Sequence, residues 1–403
     1  MDDHEVPHHF ICPISLQIMK DPVTVATGIT YDRESIQRWQ LHGQNKTCPV
    51  TNQPLTNTSD FTPNHNLRRL IQAWSVSDQV RPPSKQSSLQ MKEIAINLIK
   101  NLKLQDLQLE SLKSLENFAS QSDNIRISLK EVGVVRAMVT IVVSCYQNGT
   151  IVGLKEALNV LYFVGFSQNE SRSILAEHDR IINSLTWVLG FDDTTMKLHA
   201  IVLLKDIINQ AKSNVLERLK PDFFKTILHI LRQRDNNNLG QGIKEALHVL
   251  LNTCSWPRNC STMIQAQAVF ELVELELSSP DKGTTELIMA VLFHLCSSAD
   301  GRAQLLGHAA SIALITKRMG KVSQKVDERA LMIISLISKF SATDGVLKEM
   351  VRVGTVEKLC MVLQVNGRHS HPRDKASEIL KRHSNVWKDS PCLDLTLLTR
   401  YPR

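Results

Sequence analysis

Cys12 and Cys48 each open a Cys-Pro loop, and paired loops of this kind are typical of zinc-bound cross-brace modules. Such a module needs two complete tetrahedral sets of Cys or His ligands, usually including Cys-x-x-Cys pairs. Here the second member of each pair is Ser15 or Thr51, and no nearby His completes a set. We therefore expect neither a metal site nor a cofactor.

The same two thiols are the only candidates for a transfer nucleophile in this region. A reactive cysteine needs a nearby His or cation that lowers its pKa. Neither Cys12 nor Cys48 has an evident one in the sequence. We predict buried structural thiols and no catalytic nucleophile.

Short elements must position these loops. Val23 to Thr27 and Ile29 to Tyr31 fit a hairpin that turns near Gly28, where glycine permits the backbone conformation. A helix is predicted from Arg33 to Leu41, with Asp32 as its N-cap and Gly43 just beyond its end. Its Ile36 and Trp39 share one face.

A second helix is predicted after Pro63. Leu67, Leu70, Ile71 and Trp74 follow the spacing of a buried helical stripe. Together these elements make a compact unit of about 70 residues, within the size range of small domains.

Residues 8–76 resemble the U-box, the metal-free relative of the RING domain found in ubiquitin-protein ligases. Five motifs in the expected order carry the resemblance: Cys-Pro-Ile, Asp-Pro-Val, Gly-x-Thr-Tyr-Asp-Arg, Cys-Pro-x-Thr and Thr-Pro-Asn-x-x-Leu-Arg. In this family the ligase forms no covalent intermediate. It binds a conjugating enzyme that carries ubiquitin as a thioester and orients that complex toward a substrate lysine.

The resemblance implies that the conjugating enzyme docks in a shallow apolar groove. The residues implied to form it are Ile14, Leu16, Trp39 and Pro49. Burial in the core is the alternative for Ile14 and Trp39. Asp32 and Arg33 are implied to join Cys12 and Cys48 in the network that replaces zinc, although helix capping alone also explains Asp32.

Asn52 is a departure from the family pattern. Related domains often place a basic residue just after Cys-Pro-x-Thr, where it bridges the conjugating enzyme and its ubiquitin. An amide can still donate hydrogen bonds, but without charge the bridge is expected to be weaker.

Composition indicates a second, larger and mainly helical region. Of the 403 residues, 42% are apolar and few are aromatic. The eight cysteines are scattered, and most of them sit in apolar helical contexts, as expected of reduced core thiols. Residues 1–80 hold 6 Lys and Arg against 8 Asp and Glu, whereas residues 81–403 hold 41 against 32. This modest excess is consistent with a solvated helical surface, and an acidic partner or an anionic membrane surface is the less favoured alternative.

Two classes of partner are not expected. No Lys/Arg cluster alternates with aromatics, so nucleic acid is not an expected ligand. The chain has no recognisable signal peptide and no uncharged stretch long enough to span a membrane. We expect a soluble, cytoplasmic protein without stable membrane insertion.

After a polar, proline-bearing linker at 79–88, a repeating frame occupies the chain. It has a small or aliphatic residue, an aliphatic residue next to it, and apolar residues three and six further on. It starts at Ser111, Ala157, Ala200, Ala246, Ile288, Ala330 and, in weakened form, Ala376. The intervals of 42 to 46 residues are those of armadillo and HEAT repeats.

Each frame is followed by a second amphipathic segment, separated from it by polar stretches suited to turns, such as Ser167–Glu170 and Ser297–Gly301. The segments are Val134–Val143, Ile181–Leu189, Phe223–Leu231, Val269–Leu277, Ile312–Met319 and Val356–Leu363. A further short helix fits at Arg302–Leu306. Because one helix pair cannot bury its apolar stripe alone, the pattern predicts an α-solenoid of about six stacked repeats.

The predicted fold class is mainly α: a small α+β U-box followed by an armadillo-type α-solenoid. The predicted domains are a U-box at 1–78, the linker at 79–88, repeats at 89–385, and a C-terminal cap and tail at 386–403. This order resembles the plant U-box/armadillo ubiquitin ligases, and its compact form resembles a subgroup associated with damping immune and stress signalling.

The resemblance implies a ubiquitin-protein ligase that binds protein substrates on its repeats, modifies them and itself, and directs them to the proteasome. Homo-oligomerisation stays open. The alternative function is a non-catalytic armadillo scaffold with a weakened U-box. A nuclear-import adaptor is not expected, since none of the five tryptophans is followed by Asn in the Trp-x-x-x-Asn spacing of that class.

Overall fold

The computed structural model describes residues 7–15, 17–43, 47–55, 61–79, 85–166, 178–233, 240–364 and 370–387. The chain divides into two compact units, Met1–Leu89 and Gln90–Arg403. A helix begins at Lys85, so the last part of the polar stretch predicted as a linker is helical.

The first unit is a small α+β fold. After a 3₁₀ turn at His8–Phe10 come strands β1 (Pro22–Thr24) and β2 (Thr30–Asp32), helix α1 (Arg33–Gly43), strand β3 (Thr62–Pro63) and helix α2 (His65–Gln79). The sheet is antiparallel in the order β2-β1-β3, and Val23 pairs with Tyr31 and with Pro63. The predicted hairpin is confirmed, and Gly28 occupies its turn at a φ of 82°.

Three details of the first unit differ from the sequence prediction. Strand β3 was not predicted, because two residues that include a proline carry no strand pattern. Helix α1 includes Gly43 instead of ending before it. Leu70, predicted to lie in the buried stripe of α2, is 56% exposed, whereas Ile71 is buried and Leu67 half-buried. The side chain of Trp74 lies outside the described residues.

The second unit is helical in its described residues, and the first of its helices begins at Lys85, shortly before the division at Leu89. Its helices are α3 (Lys85–Asn101), α4 (Gln105–Gln121), α5 (Asp123–Glu131), α6 (Val134–Asn148), α7 (Leu154–Val164), α8 (His178–Val188), α9 (Thr194–Gln210), α10 (Ser213–Leu216), α11 (Pro221–Arg232), α12 (Gly240–Thr253), α13 (Pro257–Gln265), α14 (Ala268–Leu277), α15 (Lys282–Cys296), α16 (Ala299–Leu306), α17 (Ser311–Arg318), α18 (Gln324–Phe340), α19 (Asp344–Arg352), α20 (Thr355–Gln364), α21 (Ser370–Arg382) and α22 (Ser384–Trp387).

These helices form two parallel ladders. Helices α4, α7, α9, α12, α15, α18 and α21 carry the sequence frame and are called the frame helices; each packs against the next. Helices α6, α8, α11, α14, α17 and α20 carry the second amphipathic segments and also pack in succession. One continuous core lies between the ladders, which confirms the predicted solenoid.

The frame residues are the core of this unit. All are buried except Phe118, which packs against the core while partly exposed. Because the frames recur at a regular interval, equivalent residues on successive helices face the same shared interior. The buried stripe of each helix is completed only by the neighbouring repeats.

Smaller predictions have mixed outcomes. Gly133 and Gly354 adopt φ values of 83° and 78° between helices, and Pro221 begins α11, as expected. The predicted turn at Ser297–Gly301 is wrong in its second half, because α16 begins at Ala299 with the Ser298 hydroxyl capping the Gly301 amide. The predicted turn at 167–170 and most of the tail, 388–403, lie outside the described residues.

At the C-terminal end of the second unit, Trp387 closes the core with only 1% of its surface exposed. No helix within the described ranges combines the length and apolar character that crossing a membrane requires.

Candidate functional site

The second Cys-Pro loop is held by hydroxyl groups around the Cys48 sulfur. The Tyr31 hydroxyl lies 3.0 Å from Cys48 Sγ, and the Thr27 hydroxyl donates to the same sulfur at 3.3 Å. Tyr31 also accepts the Val50 amide at 3.3 Å. Tyr31 and Cys48 are both fully buried. Strand β2 therefore anchors the second loop through contacts in the interior of the first unit.

These contacts shift the ionisation of both groups in opposite directions. Burial alone would raise the pKa of Cys48, but hydrogen bonds from Thr27, Thr51 and Tyr31 outweigh it and lower the pKa to about 6. The pKa of Tyr31 is raised, first by burial and then by the neighbouring sulfur. Tyr31 therefore stays a neutral hydrogen-bond donor.

The first Cys-Pro loop is tied to the same strand. Cys12 Sγ accepts the Asp32 amide at 3.3 Å, and Asp32 Oδ1 accepts the amides of Lys20 and Asp21 at 2.8 and 2.9 Å. Burial raises the pKa of Cys12, but amide hydrogen bonds, led by that from Asp32, bring it below its ordinary value. Asp32 thus joins the first loop to β2.

Asp21 links the first loop to both helices of this unit. Its Oδ2 lies 2.6 Å from Arg33 Nε at the start of α1, and its Oδ1 lies 3.6 Å from Arg68 Nη1 on α2. The Arg33 amide also donates to the Asp21 carbonyl at 3.0 Å. A half-exposed carboxylate between two arginines holds together elements that are distant in sequence.

The residues expected to dock the conjugating enzyme have distinct environments. Trp39 is 37% exposed on α1, and its indole N–H donates to the Thr47 carbonyl at 3.3 Å, next to the second loop. Ile14 is half-buried against the core of the first unit, and Pro49 is half-buried. Leu16 lies outside the described residues.

Asn52 lies at the end of the second loop with φ at 57°, and its amide donates to the Cys48 carbonyl at 2.9 Å. Asparagine tolerates this left-handed conformation better than most residues. Its side chain is exposed. The position is therefore accessible to a partner, and its backbone geometry restricts which residues suit it.

Four supporting residues carried no predicted role. Tyr31, Asp21 and Asn64 belong to the sequence motifs, and Thr27 belongs to the predicted hairpin, but the sequence assigned none of them an interaction. Asn64 accepts the Leu67 amide at 3.0 Å and so caps α2. Within the described ranges, no three His, Cys, Asp or Glu side chains are grouped so that they could hold a metal ion.

The two units, a loop-and-helix module braced by hydroxyls and a two-ladder solenoid, define the class of U-box proteins with helical repeats. Residues 6–80 match the family model described as "U-box domain", and residues 93–403 match the one described as "Plant U-box protein ARM repeat region". This chain belongs to the plant U-box/armadillo-repeat ubiquitin-protein ligase family.

Individual relatives match this chain over nearly their whole length. The E3 ubiquitin-protein ligase PUB24 of Arabidopsis thaliana is 41% identical, with 99% of this chain and 96% of that protein covered. PUB23 from the same plant is 37% identical, covering 100% and 98%. Among solved structures, an engineered protein with 21% identity has a TM-score of 0.53 over 72% of this chain and 67% of its own, which supports the fold alone.

Proposed function

We propose that the first unit docks a ubiquitin-conjugating enzyme charged with ubiquitin and promotes transfer to lysines of a substrate and of this chain itself. The docking residues are Ile14, Leu16, Trp39 and Pro49. The observation that carries the proposal is Trp39: a large side chain left 37% exposed, yet fixed to the Thr47 carbonyl beside the second loop. A rigid aromatic anchor suits a small interface.

The ligase acts by orientation, without its own thioester. Cys12 and Cys48 are completely buried, and each sulfur is occupied by hydrogen bonds. A buried sulfur cannot approach the thioester of a docked enzyme. The transferred ubiquitin therefore passes directly from the conjugating enzyme to a lysine.

Asn52 is the proposed contact to ubiquitin. Its side chain is exposed at the end of the loop that carries Pro49. As a neutral amide it can donate a hydrogen bond, which is weaker than the charged bridge of related domains. Docking and activation are therefore separate properties in this chain.

The repeats are proposed to bind protein substrates on the surface of the frame helices, with the modified substrates going to the proteasome. The seven cysteines in the described ranges are all free and buried, which supports the cytoplasm as the compartment. The resemblance to compact plant U-box/armadillo ligases supports a role in stress or defence signalling. A scaffold with a weakened U-box is the rival function, favoured only by Asn52.

A reconstituted ubiquitination reaction tests the proposal. It contains the full chain, an activating enzyme, a conjugating enzyme, ubiquitin and ATP. Trp39→Ala should abolish formation of ubiquitin chains on the ligase while the circular dichroism of the repeats stays unchanged. Leu70→Ala is the matched control, since it also removes an exposed apolar side chain from the first unit. Equal activity of wild type and Trp39→Ala would reject docking through this face.

A further inference from the structure

The net positive charge of this protein comes from the C-terminal part of the chain. Residues 81–300 hold 23 Lys and Arg and 23 Asp and Glu, whereas residues 301–403 hold 18 against 9. The first 80 residues hold 6 against 8. Residues 301–403 therefore supply the whole excess, which the average over residues 81–403 conceals.

The frame helices show the same gradient. Helix α4 carries one Lys with three acidic residues, a net charge of −2, whereas α21 carries four basic with two acidic residues, a net charge of +2. The frame helices between them range only from 0 to +1. Because these helices pack in sequence, the charge changes sign from one end of the ladder to the other.

Pairs of side chains join neighbouring frame helices in a regular way. Each pair has one residue from each of two neighbouring frame helices. On the first helix it is the residue five positions after the start of the frame; on the next helix it is the residue immediately before the frame. Three pairs, which we call rungs, are Tyr162–His199, stacked with centroids 4.0 Å apart, Lys205–Glu245 at 3.0 Å, and Phe293–Arg329 at 5.0 Å.

The rungs differ in their charge balance. The Lys205–Glu245 rung is internally neutral. In the Phe293–Arg329 rung the guanidinium lies over an aromatic ring, and within the described ranges no carboxylate forms an ion pair with Arg329. A guanidinium stacked on a ring keeps its edge N–H groups available to carboxylates.

Two further side chains, His294 and Lys325, lie close to Arg329. His294 adjoins Phe293 on α15, and its pKa is lowered first by burial and then by the charge of Arg329. Lys325, on the same helix as Arg329, has a side chain that is 81% exposed and lies 3.8 Å from Glu286. The imidazole is thus neutral. Lys325 is largely exposed, although Glu286 lies within ion-pairing distance of it, and Arg329 is half-buried.

We propose that the exposed surface of the frame helices binds an extended substrate segment, whose acidic residues lie over the Phe293–Arg329 rung and helices α18 and α21. This proposal rests on the substrate-binding role proposed above for the repeats. Charge complementarity selects the occupant: a bidentate carboxylate matches the guanidinium that lies over the Phe293 ring. Helix α4, with its net charge of −2, disfavours acidic residues of the segment at that end of the ladder.

An acidic protein segment fits this face better than a membrane does. Anionic lipid surfaces are recognised by clusters of basic residues. On α18 and α21 the basic residues alternate with Asp327, Glu328, Asp374 and Glu378. A surface on which basic and acidic residues alternate can pair with individual side chains of a peptide, but it lacks the basic cluster that an anionic lipid surface requires.

The test is a peptide-binding assay on the full chain, with binding measured by fluorescence anisotropy. The probe is a fluorescein-labelled Glu-Ser repeat peptide of about twelve residues, enough to cross two or three helices in an extended conformation; Lys-Ser and Gln-Ser peptides of equal length are controls. Arg329→Gln should weaken binding of the Glu-Ser peptide by about fivefold or more, as expected for a charged hydrogen bond. Lys113→Gln removes the same charge from exposed α4 and should change binding by less than about twofold.

Arg329→Lys separates charge from stacking and should retain part of the affinity, and circular dichroism reports whether each variant is folded. Equal binding of the Glu-Ser and Gln-Ser peptides, or equal effects of Arg329→Gln and Lys113→Gln, would overturn the proposal. So would Arg329-dependent binding to phosphatidylserine vesicles without peptide binding. Self-ubiquitination should be unchanged in the control variant Lys113→Gln; its loss in Trp39→Ala tests the first unit separately.

Discussion

The Tyr31 hydroxyl lies 3.0 Å from the sulfur of Cys48 and also accepts the Val50 amide. One buried hydroxyl thus holds both the first and the third residue of the Cys48-Pro49-Val50 turn. In a cross-brace with metal, ligand bonds perform this task. Here strand β2 supplies it through side-chain hydrogen bonds, and the position of Pro49 depends on them.

Tyr31→Phe should loosen the second loop without unfolding the repeats. It leaves the ring in place but removes the partner of the Cys48 sulfur and of the Val50 amide, a loss of about 1–2 kcal/mol in local stability. Hydrogen exchange at Val50 should accelerate, and discharge of ubiquitin from the conjugating enzyme should slow. Thr27→Val, which removes a Cys48 partner but none of Val50, should have the smaller effect. Unchanged exchange at Val50 would contradict this role.

The stability of the first unit should increase with pH between about 6 and 9. The pKa of Cys48 is about 6 in the folded chain, against an ordinary value of 9.0. A depressed pKa stabilises the fold fully above the unfolded value and loses that contribution as pH falls through the folded one. Urea unfolding followed at the loop amides at several pH values measures the effect. Cys48→Ser should flatten the dependence; a wild type insensitive to pH in this window would argue against a stabilised thiolate.

Asn52→Arg should accelerate the discharge of ubiquitin several-fold, because a guanidinium supplies the charged bridge that an amide lacks. The φ of 57° imposes a cost of about 1–2 kcal/mol on a residue other than Gly, Asn or Asp. Asn52→Gln carries a similar conformational cost without the charge and is the control. Thioester discharge to free lysine is the measurement, and equal rates for the two variants would exclude a bridge at this position.

Removing one partner of the ion pair between Glu276 and Arg318 should lower the free energy of unfolding strongly, whereas replacing both partners by apolar residues should lower it little. Glu276 is fully buried, with Oε1 2.6 Å from Arg318 Nε and 3.0 Å from the Thr285 hydroxyl. Burial raises the pKa of this carboxyl more than Arg318 lowers it. Arg318→Ala should cost about 3–5 kcal/mol, because it leaves a buried carboxylate unpaired.

The double variant Glu276→Leu/Arg318→Met should recover most of that loss, since apolar residues can replace a buried ion pair without penalty. Urea denaturation followed by far-ultraviolet circular dichroism compares the two. If the single and double variants are equally destabilised, packing of Arg318 outweighs its charge.

Purified protein should contain no stoichiometric zinc, and chelators should leave its ligase activity intact. The Cys12 and Cys48 sulfurs already accept hydrogen bonds from Asp32 and Tyr31 in place of metal bonds. Atomic absorption on the untreated chain, and activity before and after dialysis against a zinc chelator, measure both properties. Two zinc ions per chain would be incompatible with this network.

The local spacing of residues was enough to predict most of the architecture. Hairpin, helices and repeats follow from patterns whose signal spans only a few turns, such as Leu158, Leu161 and Val164 on one helical face. The Cys-Pro loops without second cysteines likewise indicated a module without metal. These properties depend on neighbours in the chain, which a sequence displays directly.

Other properties depended on contacts between distant residues. No spacing rule relates Tyr31 to Cys48, Asp21 to Arg68, or Trp39 to Thr47, and strand β3 exists only because Thr62 and Pro63 pair with β1. The exposure of Leu70 was equally invisible, because helical periodicity cannot say how wide the buried stripe is.

The sequence by itself thus determined which segments become helices, where the repeats begin, and that metal ligands are missing, because these follow from residue type and short-range period. The tertiary structure alone decided which hydroxyls and carboxylates replace the metal and which side chains meet as rungs. The reason is physical: a hydrogen bond or a stacked guanidinium requires a distance of a few ångströms, and only the packed fold brings residues that are distant in sequence that close.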